Sequence, residues 1–493
     1  MAAKSIPWSE VEKHKTKSDC WTVIHGKVYD LTTFLPEHPG GASIILKYAG
    51  KDATKAFDPI HPSDIIEKLL PPSVCLGSVE PRDLKEEAVA LSEDERRVQL
   101  AHQQKPSLDA ILNLFDFEAV AKHVMASDGW AYYSSAADDE ITARENRQAF
   151  QRIWFRPRVL INVRQIDPSA SLLGHASSLP IYITATALGK LGHPEGELVL
   201  TRAAGRQGII QMIPTLSSFS LDEITAARVP GQVQFFQLYV NSNRSITEKL
   251  IRQAERRGCQ GLFITVDAPT LAKREKDMRM KFLNRPPDVQ NEGDINRNQG
   301  AARAIASFID PSLNWTDLKW FQSVTTMPIV LKGIQCGEDA VLAAKAGVQG
   351  IVVSNHGGRQ LDFARSGIEV LAEVMAALRQ AGLQNKLEVY MDGGVRRGTD
   401  VLKAVALGAK AVGLGRPFLY AMSSYGQPGV ERAIEILRDE IEMGMRLLGV
   451  THLKDLNTDY LCTQNLKDHI SVVPKDYLQA TVYEKMQPPK SKL

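Results

Sequence analysis

From Pro180 to Pro417 the chain alternates short β-branched runs with amphipathic stretches of helical period, and that alternation leaves few folds open. Eight runs are present: Pro180–Thr186, Gly208–Ile213, Val233–Val240, Gly261–Ala268, Pro328–Ile334, Gly350–His356, Leu387–Gly394 and Ala411–Pro417. Between them, stretches such as Gly337–Ala346 and Gly367–Ala381 place apolar residues three and four apart, the spacing of a helix with one buried face. Eight βα units in about 250 residues predict an α/β fold, a closed (β/α)8 barrel with its chemistry at the C-terminal ends of the strands. A doubly wound sheet would use the same alternation, but no Gly-x-Gly-x-x-Gly follows any run to form its dinucleotide site. Lys273–Asp317, rich in Arg, Asn and Pro, breaks the rhythm and is expected to be a long loop or lid over the barrel mouth.

A chain of 493 residues exceeds what one core supports, and the part before the barrel has a different texture. Residues 1–80, dense in Trp, Tyr, His and Pro, read as a compact module; 81–105 are highly charged and read as a solvated, partly helical linker. The barrel domain then covers 106–473, and 474–493 form a polar tail. A net charge of +2 offers no global field for nucleic acid or a membrane surface, and no apolar run reaches the roughly 18 to 20 residues that span a bilayer. The five cysteines are scattered, without a Cys-x-x-Cys pair, which speaks against a disulfide framework or structural zinc and for a reducing compartment. The first residues resemble neither a signal nor a transit peptide, so the chain is expected to be soluble and uncleaved. Ser491-Lys492-Leu493 reads as the tripeptide address for peroxisomes.

In the first module His38 and His61 stand out, 23 residues apart. A six-coordinate haem iron takes one imidazole on each face, and Pro39-Gly40-Gly41 would let the backbone turn beside the porphyrin edge. Either histidine alone would read as a surface loop residue. Cys20–Phe34 together with His38-Pro39-Gly40-Gly41 closely resembles the cytochrome b5 family over residues 5–80. That resemblance implies a small α+β domain holding haem b through His38 and His61. With both axial positions filled, such a centre carries electrons and does not bind oxygen.

The barrel's strand ends carry the rest. Ser354-Asn355-His356-Gly357-Gly358-Arg359 closes the sixth run with an imidazole and a guanidinium, a general base and a carboxylate clamp of the kind that oxidation of a 2-hydroxy acid requires. Asp267, at the end of the fourth run, is placed either to fix the tautomer of His356 or to cap a helix. Asp392–Arg397 and Gly413–Pro417 supply glycine amides and arginines where barrels bind phosphate.

Together these motifs resemble the FMN-dependent α-hydroxy-acid dehydrogenase and oxidase family, from residue 108 to about 473, with Ser354–Asp362 the most specific marker. The resemblance implies His356 as base with Asp267 as partner, Arg359, Tyr132 and a second arginine, Arg274, toward the substrate carboxylate, and Tyr239 toward its hydroxyl. For FMN it implies Lys332 beside the flavin, Gln237 and Thr265 at the pyrimidine edge, and the segment Ala185, Thr186 and Ala187 after the first run. Ser354 belongs to the same set, and Asp392, Gly394, Arg396, Gly415 and Arg416 lie toward ribityl and phosphate. Two positions depart from the family: Ala136 replaces a glycine, which would strain the loop if its φ were positive, and Pro214 replaces a serine hydroxyl.

A b5-type module ahead of such a barrel resembles the flavocytochrome b2 family, which implies oxidation of a small L-2-hydroxy acid, L-lactate first, with electrons passed through haem to cytochrome c or another acceptor. It also implies a homotetramer, and Leu216 beside the substrate side chain suits a methyl group. A cytochrome c acceptor points to the mitochondrial intermembrane space and Ser491-Lys492-Leu493 to peroxisomes, where a glycolate-like oxidase that makes hydrogen peroxide is the alternative. A barrel that has lost turnover and only binds or transfers electrons is the reading from a different class.

Overall fold

In a computed structural model, residues 5–35, 42–58, 61, 65–80, 92–283 and 309–469 of the chain are described. His38, the 81–91 stretch and the tail with Ser491-Lys492-Leu493 lie outside them. The amino-terminal module is built on five strands, β1 (Ser5–Ile6), β2 (Lys15–Thr16), β3 (Asp19–Ile24), β4 (Lys27–Asp30) and β5 (Cys75–Val79), in the order β1-β5-β4-β3-β2. Strands β3 and β4 are joined at His25-Gly26, whose φ values of 50° and 72° are those of a tight hairpin turn. Alternate residues of the pair, Cys20, Ile24 and Tyr29 among them, bury with Leu31, Leu35 and Ile45 in a core edged by Phe34, Phe57 and Val74.

The charged linker is partly helical, as expected. Its second half forms a helix, Glu93–Gln104, with Ser92 and Glu95 capping each other's backbone. None of its residues is buried, which is why it reads as solvated. It is nevertheless tied to the following domain: Asp94 accepts from Ser127 N and Oγ at 2.9 and 2.7 Å, and Arg97 donates to the carbonyls of His123 and Met125 at 2.6 and 2.7 Å.

Short strand β6 (Trp154–Phe155) and the hairpin β7–β8 (Ala170–Leu172, His175–Ser177) precede the barrel. The barrel itself is β9 (Ile181–Ile183), β10 (Ile210–Ile213), β11 (Gln234–Leu238), β12 (Leu262–Thr265), β13 (Ile329–Ile334), β14 (Gly350–Val353), β15 (Glu388–Asp392) and β16 (Ala411–Leu414), all parallel and closed by β16 against β9. All eight expected runs are strands. Side chains alternate across the wall as the pleat requires. Tyr182, Met212, Phe235, Phe263, Val352 and Tyr390 fill the interior with Leu172 of the hairpin beneath them, while Ile183, Phe236, Ile264, Leu331 and Val353 face the helices. Strand β17 (Leu461–Cys462) returns to pair with β6.

The irregular stretch after β12 is not wholly loop. It opens with the helix Glu275–Leu283 and is next described at Ile309, which bridges Asn241, and at Asp310, which pairs with Arg244 at 2.7 Å. Among the described residues no helix is long and apolar enough to cross a membrane, and all five cysteines are free thiols.

Candidate active site

Most strands stop a few residues before the expected runs do, and the residues left over form a cleft at the C-terminal mouth of the barrel. After β14 the chain turns through His356–Gly358, with His356 itself at a left-handed φ of 60°, a costly conformation for a residue with a Cβ. Three contacts hold it there. Its N–H donates to Ser354 Oγ at 3.0 Å, its Nδ1 lies 3.0 Å from Asp267 Oδ1, and the Tyr239 hydroxyl lies 3.1 Å from Nε2. A carboxylate only accepts, so Nδ1 carries the proton, Nε2 is the basic nitrogen and Tyr239 donates to it.

The Asp267 side chain is completely buried. Burial alone would raise its pKa, but His356 and the charge of Lys332 outweigh burial and hold the carboxyl below the usual range. No helix starts behind it until Glu275, so the capping alternative for Asp267 falls away. Its approach depends on a bulge: β13 shifts register between Lys332 and Ile334, and a Cβ on Gly333, at φ 119°, would sit 2.6 Å from the Cβ of Asp267. Burial beside Asp267 pushes the Tyr239 phenol well up, so it stays protonated.

Across the cleft, Arg359 donates through Nη2 to the carbonyls of Tyr132 and Tyr133 at 2.8 and 2.7 Å, and through Nε to that of Ser135 at 3.3 Å. Burial, with Arg274 and Arg416 nearby, pushes its guanidinium down to about 9, a repulsion that a bound carboxylate would relieve. Arg274 is 5% exposed, yet its Nε and Nη1 have no hydrogen-bond partner among the described residues. Both guanidinium carbons lie over the Tyr132 ring, at 5.5 and 5.4 Å. A buried and a half-buried cation with unspent donors on one ring suit a small anion. Ala136, two residues before Asp138, is not strained: the positive φ values in that loop fall on Asp138 and Glu140, and Ala136 N donates to Glu140 Oε1 at 2.9 Å.

The floor of the cleft is a buried charge network. Lys332 Nζ lies 3.1 Å from Asp392 Oδ2 and 3.0 Å from Ser354 Oγ, which in turn donates to Asp392 Oδ1 at 2.5 Å. Burial would lower the Lys332 pKa, but Asp392 and Asp267 hold it above its ordinary value, so the cation is permanent. Gln237 donates to Thr265 Oγ1 at 2.9 Å and accepts from Thr215 N at 3.1 Å, which presents an amide and a hydroxyl edge at that end. Ala185, Thr186, Ala187, Pro214 and Leu216 line the same cleft.

At the other end lie Gly394, Arg396, Gly415 and Arg416. Here both arginine side chains already have partners within the protein. The Arg416 guanidinium is bonded to three carbonyls, of Tyr133, Gly357 and Ser135, at 3.0, 2.9 and 3.0 Å. It is a strut that pins three loops, and what it offers an anion is its backbone amide at the start of the helix Arg416–Leu448. Arg396 reaches Glu118 at 3.4 Å and the Val395 carbonyl at 3.2 Å. Asn146 and Asn355, to which no role was assigned from sequence, exchange side-chain bonds at 2.8 Å in both directions. Asn146 also sets a limit on Gly394, where a Cβ would come 1.9 Å from its carbonyl oxygen at φ 82°. Gly394→Ala is therefore expected to cost about 3 kcal/mol or more in urea unfolding and to leave the purified protein short of flavin.

A permanent cation beside an amide and hydroxyl edge, with a helix N-terminus and glycines at the far end, is a donor set that fits FMN. Residues 121–463 match the FMN-dependent dehydrogenase family, and residues 7–80 match the cytochrome b5-like heme/steroid binding domain. The chain belongs to the FMN-dependent dehydrogenase family. It is 56% identical to an L-lactate dehydrogenase (cytochrome) of Wickerhamomyces anomalus over 97% of this chain and 83% of that protein. To the L-lactate dehydrogenase (cytochrome) of Saccharomyces cerevisiae it is 51% identical, over 98% and 84%. A solved double mutant of flavocytochrome b2 with pyruvate bound superimposes with a TM-score of 0.73 at 51% identity, over 81% of this chain and 98% of that one.

This member of the FMN-dependent dehydrogenase family carries its haem module in front. There His61 Nδ1 lies 3.2 Å from the Phe57 carbonyl, and its ring stacks on Phe57 at 4.4 Å and 14°. A carbonyl can only accept, so Nδ1 is protonated and Nε2 carries the lone pair, the arrangement an axial ligand needs. Leu31, Leu35 and Ile45 form an apolar core with Phe57 packed against it, beside the His61 ring. The other expected ligand, His38, lies outside the described residues.

Proposed function

We propose that this chain oxidises L-lactate to pyruvate with FMN and passes the electrons through haem b to cytochrome c or a similar one-electron acceptor. The observation that carries the reading is the pairing of a basic His356 Nε2, backed by the buried Asp267 carboxyl, with two arginines, Arg274 and Arg359, across the same cleft. Arg359 and Arg274 hold the substrate carboxylate, over the face of Tyr132. Tyr239 orients the substrate hydroxyl, and His356 Nε2 takes the proton; the geometry serves removal from Cα and removal from the hydroxyl equally. Asp267 stabilises the imidazolium that results. Lys332 sits where a cation favours electron uptake, with Ser354 and Asp392 fixing it. FMN, held by Lys332, Gln237, Thr265, the 185–187 backbone and the amides around Gly394 and Gly415, supplies the two-electron chemistry, and haem on His61 and His38 supplies the single-electron relay.

Leu216 at the cleft wall favours a methyl-sized side chain, which supports L-lactate over bulkier acids. Assembly as a homotetramer is part of this reading, supported by the exposed apolar residues Val159, Leu160 and Ile161. The test is steady-state turnover with L-lactate, glycolate and L-mandelate, recording cytochrome c reduction and peroxide together. L-Lactate should give the highest kcat/KM, with two cytochrome c reduced per substrate. Peroxide formed one for one, with glycolate preferred, would replace this reading by that of an oxidase. Arg359→Lys should raise KM for L-lactate by roughly tenfold or more, because an ammonium cannot copy the planar fork. An unchanged KM would remove Arg359 from the carboxylate site.

A further inference from the structure

One buried acid has no part in the chemistry above. Glu197 stands in the first turn of the helix Gly196–Gln207 behind β9, wholly removed from solvent and without an ion-pair partner among the described residues. Its side chain reaches beyond its own helix. Oε1 accepts from Gly189 N at 2.8 Å and from Ser218 N at 2.9 Å, while Oε2 has no partner.

The two amides come from different loops of the cleft. Gly189 belongs to the loop that leaves β9 through Ala185-Thr186-Ala187, and Ser218 to the loop that leaves β10 through Pro214-Thr215-Leu216. Further bonds join the same loops: Leu188 N donates to the Leu216 carbonyl at 3.1 Å and Lys190 N to Ser218 Oγ at 3.1 Å. Leu188 is held at a left-handed φ of 61°, which without those bonds would relax. On its other side the first loop takes the Tyr133 hydroxyl, which donates to the Leu188 carbonyl at 2.7 Å. The carbonyl of Tyr133 in turn accepts from Arg359. An unbroken set of bonds thus runs from Glu197 through both loops to the Leu216 wall on one side and the Arg359 clamp on the other.

We propose that Glu197 is a positioning residue that sets the gap between Leu216 and Arg359, and with it the size of side chain that a 2-hydroxy acid may carry. The proposal rests on the substrate reading above. What the site needs is one acceptor oxygen between two buried amides, since each amide left unpaired would draw its loop toward another partner or toward water. Burial raises the pKa of Glu197 and outweighs the amides of Ser218, Gly189 and Glu197 itself and the charge of Lys190, which lower it; a neutral amide side chain supplies the same acceptor oxygen.

The experiment compares FMN-loaded wild type, Glu197→Gln and Glu197→Ala with L-lactate and with the bulkier L-2-hydroxy-4-methylpentanoate. Glu197→Gln should keep kcat, KM and the preference for L-lactate within about twofold. Glu197→Ala should raise KM for L-lactate roughly tenfold, with a smaller effect on kcat, and narrow the preference for L-lactate by a similar factor. If Glu197→Ala does not yield flavin-loaded protein, Glu197→Asp takes its place, one methylene short of both amides and with the same expected shift. Wild-type KM and preference in the alanine or aspartate variant, with only a lower melting temperature, would overturn the proposal. So would a glutamine variant as impaired as the alanine one. Wild type inert toward both acids would overturn the substrate reading instead.

Discussion

His356→Gln is expected to lower kcat with L-lactate by about 10² to 10⁴, the weight of a positioned general base, while the protein keeps its flavin. Glutamine can fill the space and bond Tyr239, but it has no basic nitrogen to take the proton. The flavin contacts proposed above fall on other residues, Lys332, Gln237 and Thr265, so the loss should fall on turnover and leave FMN content unchanged. The same variant removes the main partner of Asp267. In the wild type that carboxyl has a lowered folded-state pKa, so its contribution to stability is fully present above its ordinary value of 3.8 and is lost as the pH falls through the lowered one. Stability of the variant in urea should therefore depend less on pH in that acid range. Turnover within about threefold of wild type would take the base away from His356.

The second large effect concerns the other centre. His61→Ala should abolish the b-type haem bands and cytochrome c reduction, by at least about 10²-fold, while L-lactate still bleaches the flavin and turnover persists with a small artificial acceptor such as ferricyanide. The two activities separate because His61 and its Phe57 support belong to the amino-terminal module, whereas His356 and Arg359 belong to the barrel. Cytochrome c reduction at the wild-type rate by a haem-free variant would show that electrons leave the flavin directly.

Much of the fold was legible because its signal is periodic. The eight β-branched runs are all strands, and Gly337–Lys345 and Gly367–Gln380 are helices within one residue of the expected ends. The strands end early where function begins: Tyr239, Asp267 and His356 were counted in strands, but they lie just past Leu238, Thr265 and Val353. A β-branched or aromatic run looks the same whether its last residue pairs in the sheet or turns into a cleft. The charged stretch before the barrel is helical and unburied over Glu93–Gln104, in keeping with a solvated, partly helical connector; its anchoring by Asp94 and Arg97 was not legible, because those polar bonds leave no apolar stripe.

Within the site, His356 meets Asp267 as the resemblance implied, and residues given separate roles also come together: Tyr239 with His356, and Lys332 with Ser354 and Asp392. What could not be read is which atoms are already spent. The Arg416 guanidinium looks like a phosphate ligand until Tyr133, Ser135 and Gly357 bring their carbonyls to it. Asn146 and Glu197 carry no local signal, because their partners lie far away in sequence or on another loop. Ala136 carried a warning that backbone geometry dismisses, the left-handed φ having moved to Asp138 and Glu140.

The central claim, two redox centres in series fed by a 2-hydroxy acid, is tested most directly by a visible spectrum of the purified holoprotein recorded without oxygen as L-lactate is added. The account predicts bleaching of the flavin followed by the sharp bands of reduced b-type haem, with neither change in His356→Gln on the same timescale. Flavin bleaching that leaves the haem oxidised, or haem reduction that precedes it, would contradict the account.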